Sequence, residues 1–309
     1  MRQSFKKFSP FLILTSVGAI FHLIANFCEK KTDGFTIAFI HSDLTYDPAW
    51  ETKSISKETE AELEKVFTQK FRYLGCGGQS FVFVSEDKEY VIKFFKHRHF
   101  RKPYSLLLNI PLPGILELSR LYKLNKALFK LTRDFSSYKL AYEELQEEAG
   151  LIYIHLNKGT HLNRSLNIID KIGIEHEIDL DKIEFVVQRR ADLLYPRIDE
   201  LMQRGDIHGA KQALHAVLDV IVTRCKKGIF DEDPRIHNNL GLFGQRAIFI
   251  DIGRFVRDEK RTFPSVYIND LKIIIGKRLR PWLERDHPQL ITYLDEEINK
   301  LENSIREEV

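Results

Sequence analysis

Apolar residues dominate the chain from Phe11 to Cys28, interrupted only by Thr15, Ser16, His22 and Asn26. Arg2, Lys6 and Lys7 precede the run and Glu29-Lys30-Lys31 closes it. Eighteen residues lie near the lower limit for crossing a bilayer as a helix, since about 20 are typical. The run is therefore expected to contact a membrane through residues 11–28 as a single signal-anchor helix. A cleaved secretory peptide, and hence a secreted protein, is the alternative, although no small-x-small cleavage site follows. A buried hydrophobic helix also fits the length. Basic residues flank both ends, so the side of the membrane stays open.

Beyond Lys31 the rhythm changes. Residues 33–52 mix turn formers with the short apolar stretch Phe35–Ile40, and Ser56–Gln69 places Leu63 and Phe67 at helical spacing, which predicts a linker and one short helix. From Phe71 the period becomes strand-like. Phe71–Leu74, Phe81–Val84 and Tyr90–Phe95 are separated by a glycine cluster and by the turn Glu86-Asp87-Lys88, predicting strand, glycine loop, strand, turn, strand.

Tyr104–Gly114 is apolar with two prolines, and Ile115–Phe135 spaces leucines among Arg120, Lys123, Lys126, Lys130 and Arg133. Such a basic amphipathic helix packs on a small lobe or lies on an anionic membrane surface. Ser136–His155 predicts a further helix. Leu166–Gly173 and Ile183–Gln188 then predict strands, and Ile198–Met202 and Ala210–Thr223 helices with a break at Arg204-Gly205-Asp206. Leu240–Phe243 and Ala247–Asp251 read as a hairpin around Gly244-Gln245-Arg246, followed by helices near Val266–Arg280 and Pro288–Arg306.

Composition narrows the function classes. A chain of 309 residues, 43% hydrophobic and 29% charged, buries one large two-lobed core or two ordinary domains and is not disordered. A net charge of +3, spread along the chain, gives no reason to expect nucleic acid as a partner. Cys28, Cys76 and Cys225 lack paired spacing, which suggests neither a disulfide framework nor a zinc site.

The chemistry concentrates in separated segments. Gly75, Gly77 and Gly78, with Ser80 where another glycine could stand, leave backbone amides free to approach an anion. Lys93 sits in the otherwise apolar strand Val91-Ile92-Lys93, where a buried ammonium requires an anion. Downstream, Asp231-Glu232-Asp233 leads to Asn238 and Asn239, and the hairpin delivers Asp251 before Gly253. Singly, these features fit a plain turn, a surface lysine on an edge strand, a solvated acidic turn and a helix cap. Jointly they supply what holding ATP-Mg²⁺ and moving its terminal phosphate requires.

Leu74-Gly-Cys-Gly-Gly-Gln-Ser-Phe-Val-Phe followed by Val91-Ile-Lys93 resembles the glycine-rich loop and lysine strand of the protein-kinase-like superfamily, between eukaryotic-type protein kinases and aminoglycoside-phosphotransferase-like kinases. Asp233 and Asn238 are five apart and Asn238 and Asp251 thirteen apart, the family's usual spacing. The resemblance implies an α+β, two-lobed fold with a small antiparallel sheet lobe and a mainly helical lobe, here with an N-terminal hydrophobic helix. It implies Lys93 and Asp233 as catalytic residues and ATP and Mg²⁺ as cofactors. Gly75, Gly77, Gly78, Ser80 and Lys93 would face the nucleotide, the backbone near Gln188 would face adenine, and Asn238 or Asn239 with Asp251 would hold the metal. A glutamate should pair with Lys93; Glu143, Glu144, Glu147 and Glu148 are candidates, and Glu148, beside the apolar face of Leu151 and Ile152, fits best.

The chain departs from the family where Asp231-Glu232 stands for His-Arg, and only 58 residues follow Asp251. The expected organisation is an anchor or signal segment over 1–31, a linker and helix over 32–70, a sheet lobe over 71–190 with an insertion over 97–135, and a reduced helical lobe over 191–309. The expected function is transfer of the γ-phosphate to an unidentified hydroxyl acceptor, protein or small molecule. The alternative is a catalytically silent relative acting as a membrane-tethered binding or scaffold module.

Overall fold

In the β-branched and aromatic runs of the first half, alternate residues are apolar on both faces, which suits strands covered on two sides. The computed structural model, which describes residues 10–97 and 114–308, joins them into one seven-stranded sheet. Its strands are β1 Phe71–Cys76, β2 Ser80–Ser85, β3 Tyr90–Phe95, β4 Leu151–His155, β5 Ser165–Ile169, β6 Glu175–Asp179 and β7 Phe185–Arg189. They lie in the order β4-β7-β3-β2-β1-β5-β6. Neighbours are antiparallel except β1 and β5, which run parallel, so the sheet is mixed rather than purely antiparallel. The chain passes from β4 at one edge to β5 beyond β1, and that crossing delivers β5 in the direction of β1.

Strand periodicity divides β3 between two cores. Ile92 and Phe94 join Phe71, Phe81, Phe83 and Phe185 on one face, whereas Phe95 packs with Phe135 and Tyr138 on the other. The stretch expected to be a linker contributes to the first core. Phe35 is buried edge-on against Phe81 and Phe83, and Asp33 accepts a hydrogen bond from Tyr73 and pairs with Lys171. Phe35 and Ile40, both buried, would otherwise leave the sheet face wet.

Helix α1 spans Pro10–Thr32, and α2, Lys57–Phe67, is capped by the Ser56 hydroxyl, which accepts from the Thr59 amide. From Leu14 to Lys30 the α1 side chains stand exposed. Among the described residues no helix is long and apolar enough to cross a membrane, which departs from the expected spanning anchor. Thr15, Ser16, His22 and Asn26 dilute the run, and Asn26 and His22 hydrogen-bond to each other along the helix.

Helix α3 runs Gly114–Glu144, merging most of the expected insertion with the helix after it. Residues 98–113, which include most of the apolar Tyr104–Gly114 segment, lie outside the described residues. The second half of α3 is clamped to the body through buried Phe135, Tyr138, Ala141 and Tyr142 at helical spacing. The helix does not continue to His155 as expected. Gly150, at φ 57°, sits in the left-handed region, and five buried residues from Leu151 onward form β4.

The second half of the chain is mainly helical, with α4 Leu194–Gln203, α5 Ile207–Lys226, α6 Ile236–Asn239, α7 Pro264–Ile274, a π-helical turn Ile275–Leu279, α8 Arg280–Asp286 and α9 Ile291–Glu308. Helix α5 is its hub, with Leu214, Val217, Leu218 and Ile221 buried among Phe249, Phe255, Leu271 and Leu283. Short strands complete it: β8 Asp192–Leu193, β9 Ile229–Asp231, β10 Leu240–Phe243, β11 Arg246–Phe249 and β12 Phe255–Arg257. The β10–β11 hairpin forms as the sequence suggests, and β10 also pairs with β8, placing Gly241 opposite Leu193.

Candidate active site

Between the sheet and the helical half lies a cleft of about 870 Å³. Its walls include Gly75, Gly77, Gly78, Ser80, Lys93, Gln188, Asn238, Asn239 and Asp251. Residues distant in sequence meet there because β3 carries its side chains alternately to opposite faces, and Lys93 falls on the face opposite Ile92 and Phe94.

Lys93 is 5% exposed, and its ammonium donates to the carbonyl oxygen of Ile250, the residue before Asp251. Burial pushes the Lys93 pKa down to about 8, opposed by the charge of Asp251 nearby. The isolated ammonium would cost several kcal/mol to desolvate, and an acidic neighbour with one carbonyl only partly offsets that.

The glycine loop closes the roof. The Gly77 amide donates to Ser80 O at 3.0 Å, and Lys96 Nζ donates to Gly77 O at 2.6 Å. A Cβ added at Gly75, Gly77 or Gly78 would meet no atom within 4 Å. At the tip, Gln79 turns inward, donating to Asp134 Oδ1 on α3 at 3.1 Å and lying against Gly253, whose added Cβ would be 2.1 Å from Gln79 Oε1. A side chain at 253 would displace the Gln79 amide.

The floor is the segment between β9 and β10. Asp231 is 4% exposed; Arg224 of α5 lies 3.2 Å from it, and it accepts the Asp233 amide at 2.8 Å. Burial raises its pKa to about 6 against the pull of Arg224. Asp233 is held by Arg235, whose Nε donates at 2.6 Å and whose terminal nitrogen also pairs with it; this hydrogen bonding, with the charges of Arg235, Arg254 and Arg278, lowers its pKa. Asn239 is buried and donates from Nδ2 to Asp233 O at 2.8 Å, whereas Asn238 is exposed. Asp251 Oδ1 accepts the Gly253 amide at 3.1 Å, an Asx-type turn that presents the carboxylate beside Lys93. Asp233 itself does not line the cleft; Arg235 does.

One site expectation requires correction. Glu148 lies in the turn between α3 and β4, where Oε1 pairs with Lys227 Nζ at 2.8 Å and its carbonyl accepts the Phe249 amide. It does not line the cleft, because the helix expected to carry it ends at Glu144. Gln188 borders the cleft, but its side chain is a strut: Nε2 donates to Ala149 O and Phe249 O, tying β7 to both halves. The backbone that continues past it through Arg190, Ala191 and Asp192 forms the connecting wall.

Other residues at the site carry no local sequence signal. Asp134 and Ser137 come from α3, Asp134 in the expected amphipathic stretch and Ser137 in the helix expected after it. The Ser137 hydroxyl donates to Ile252 O and accepts the Phe255 amide at 2.6 Å, fastening α3 to the segment after Asp251. Burial raises the Asp134 pKa, opposed by Arg133 and Arg254. Arg224 could have been suspected as a charge in the apolar repeat of α5.

No family model matches the chain, and no curated protein matches it. Solved structures similar to it include WbdD at 2.2 Å, with 14% identity over 73% of this chain and 44% of that chain at a TM-score of 0.33. A medium-resolution structure of the bifunctional kinase-methyltransferase WbdD has 15% identity over 73% and 43% of the respective chains at 0.33. WbdD with the kinase inhibitor LY294002 has 16% identity over 74% and 44% at 0.29. The chain spans less than half the length of these structures. Scores this low leave the functional argument to the cleft's own residues.

Proposed function

We propose that the chain is a kinase-like phosphotransferase that binds ATP with Mg²⁺ in the cleft and moves the γ-phosphate to a hydroxyl acceptor. The observation that carries this reading is the convergence of Lys93, the glycine loop and Asp251 on one cavity wall set. Lys93 would meet phosphate oxygens and the loop amides would cover them, while the backbone after Gln188 would meet the base. Asp233, once released from Arg235, would accept the acceptor's proton.

The donors fit Mg²⁺, which takes hard oxygens: Asp251 offers a carboxylate, and Asn238 and Asn239, which line the same cleft, each carry an amide oxygen. Among the described residues no group of three or more His, Cys, Asp or Glu could hold a metal, so nucleotide oxygens would complete the set. Bound there, the ion would neutralise charge developing on the phosphates. Positioning and neutralisation would supply most of the rate.

A silent binding module is the second reading, favoured by the Arg235 fork that occupies the Asp233 carboxylate. Measuring ATP turnover by wild type and Asp251→Ala decides: equal rates end the enzyme reading. Attachment to a membrane through α1 belongs to the same proposal and rests on the exposure of Leu14, Phe21, Leu23 and Phe27.

A further inference from the structure

Strand β3 turns Val91, Lys93 and Phe95 to one side, because alternate residues of a strand share a face. Helix α3 covers that side: the Tyr138 ring packs edge-on against Phe95, with centroids 5.2 Å apart and planes at 86°. Phe95 is two residues from Lys93, so α3 sets the ring next to Lys93 along the same face. The preceding residue, Ser137, ties this point of α3 to the other wall, since its hydroxyl donates to the carbonyl oxygen of Ile252, the residue after Asp251. One turn back, Asp134 accepts from Gln79 of the glycine loop at 3.1 Å. Tyr138 is thus set among the three segments that bear the lysine, the carboxylate and the glycines.

Of the described residues of α3, Tyr138 alone lines the cleft. It is 2% exposed, its hydroxyl forms no hydrogen bond to any described residue, and the open space that it touches is the cleft. A phenylalanine would pack on Phe95 equally well, so the hydroxyl is the part of this side chain that the core leaves unused. None of the glutamates considered as partners of Lys93 lines the cleft. Burial, reinforced by the charges of Asp251 and Asp134, holds the phenol's pKa well above the ordinary 10, so it keeps its proton and offers it to an anion.

We propose that the Tyr138 hydroxyl is a nucleotide-binding group, donating to a phosphate oxygen of the bound nucleotide beside Lys93. A neutral donor suits this place. It grips phosphate oxygens without drawing Asp251 away from a metal ion, as a second cation there would. Through it α3, which carries no other cleft-lining residue among those described, takes part in holding the phosphates. This inference rests on the nucleotide reading given above.

The test titrates the full chain with ADP and with adenosine, both in excess Mg²⁺, for wild type, Tyr138→Phe and Tyr142→Phe. Tyr142 is buried one turn further along α3 and does not line the cleft. Tyr138→Phe is expected to weaken ADP by about tenfold or more, the loss of one hydrogen bond to a charged acceptor, while adenosine affinity and the unfolding midpoint hold. Tyr142→Phe should leave ADP affinity at the wild-type value. Unchanged ADP affinity in Tyr138→Phe overturns the proposal, as does a loss shared equally by ADP and adenosine, which a merely structural role would give, or a loss as large in Tyr142→Phe. A wild-type chain that fails to bind ADP overturns the nucleotide reading itself, and the first titration tells that failure apart.

Discussion

The ammonium of Lys93 donates to the carbonyl oxygen of Ile250, joining the inner strand β3 to the residue before Asp251 across 157 positions of sequence. That bond brings the lysine and the carboxylate into one electrostatic unit. With the ammonium almost fully buried, its pKa falls to about 8, so its charge is sensitive to modest alkalinity.

A pH dependence follows. The unfolded chain keeps the lysine proton up to the ordinary 10.5 whereas the folded chain releases it near 8, so in this window the unfolded state binds more protons and this group's contribution to stability rises with pH. Nucleotide affinity moves the other way, falling above about pH 8 as the ammonium is lost. In Lys93→Arg the guanidinium stays charged, and the alkaline limb should vanish from a fluorescent-nucleotide titration. A limb that persists unchanged belongs to another group.

Asp251→Ala removes the carboxylate expected to engage the metal. Mg²⁺ should tighten nucleotide binding by the wild type and do nothing for the variant, and ATP turnover should fall by about two orders of magnitude or more. Calorimetry with and without Mg²⁺ checks this. An undiminished metal effect in the variant excludes Asp251 as a ligand.

The Arg224–Asp231 pair is buried on both sides, with side chains 2% and 5% exposed. Asp231→Ala strands the guanidinium between Phe249 and Phe255, and should cost about 3–5 kcal/mol, as breaking one side of a buried pair does. Denaturant unfolding measures it. A loss under about 1 kcal/mol shows that the pair is solvated or replaceable.

Gly241 sits where β10 passes the connecting wall. An added Cβ would lie 2.7 Å from Asp192 O and 2.9 Å from Ala191 Cβ, and backbone cannot rotate away as a side-chain tip can. Gly241→Ala should destabilise by about 1–3 kcal/mol and weaken nucleotide binding together with stability. Thermal unfolding with and without ADP separates the two effects. Wild-type values for both refute the close approach.

Replacing Phe21 and Phe27 with Ser removes two exposed rings from α1, 69% and 62% accessible. Fold stability should shift by no more than about 0.5 kcal/mol, while co-flotation with phospholipid vesicles should fall markedly. Wild-type chain that fails to float with vesicles refutes attachment through this helix.

Periodicity made several elements legible. The β1–β2–β3 meander, α2, α5 and the β10–β11 hairpin lie where strand-like or helical spacing put them, because each pattern is set by neighbours a few residues away. The grouping of Lys93, the glycines and Asp251 was suspected from residue types and intervals. Strand β4 was read as helix: its five residues are all buried, and a short apolar run carries no period to separate strand from helix. Glu148 was misassigned for the same reason, since the choice assumed a helix that ends at Glu144.

Local sequence determined which stretches alternate, turn and cap, and which residues could carry phosphate and metal chemistry, because these depend on the nearest few side chains. It had no means of saying that Gln79 would reach Asp134, that Ser137 would fasten α3 behind Asp251, or that Arg224 would meet Asp231 out of water. Those partners are brought together by packing of α3, the π-helical turn and the hairpin around a common core, and burial then decides which charges must find one another.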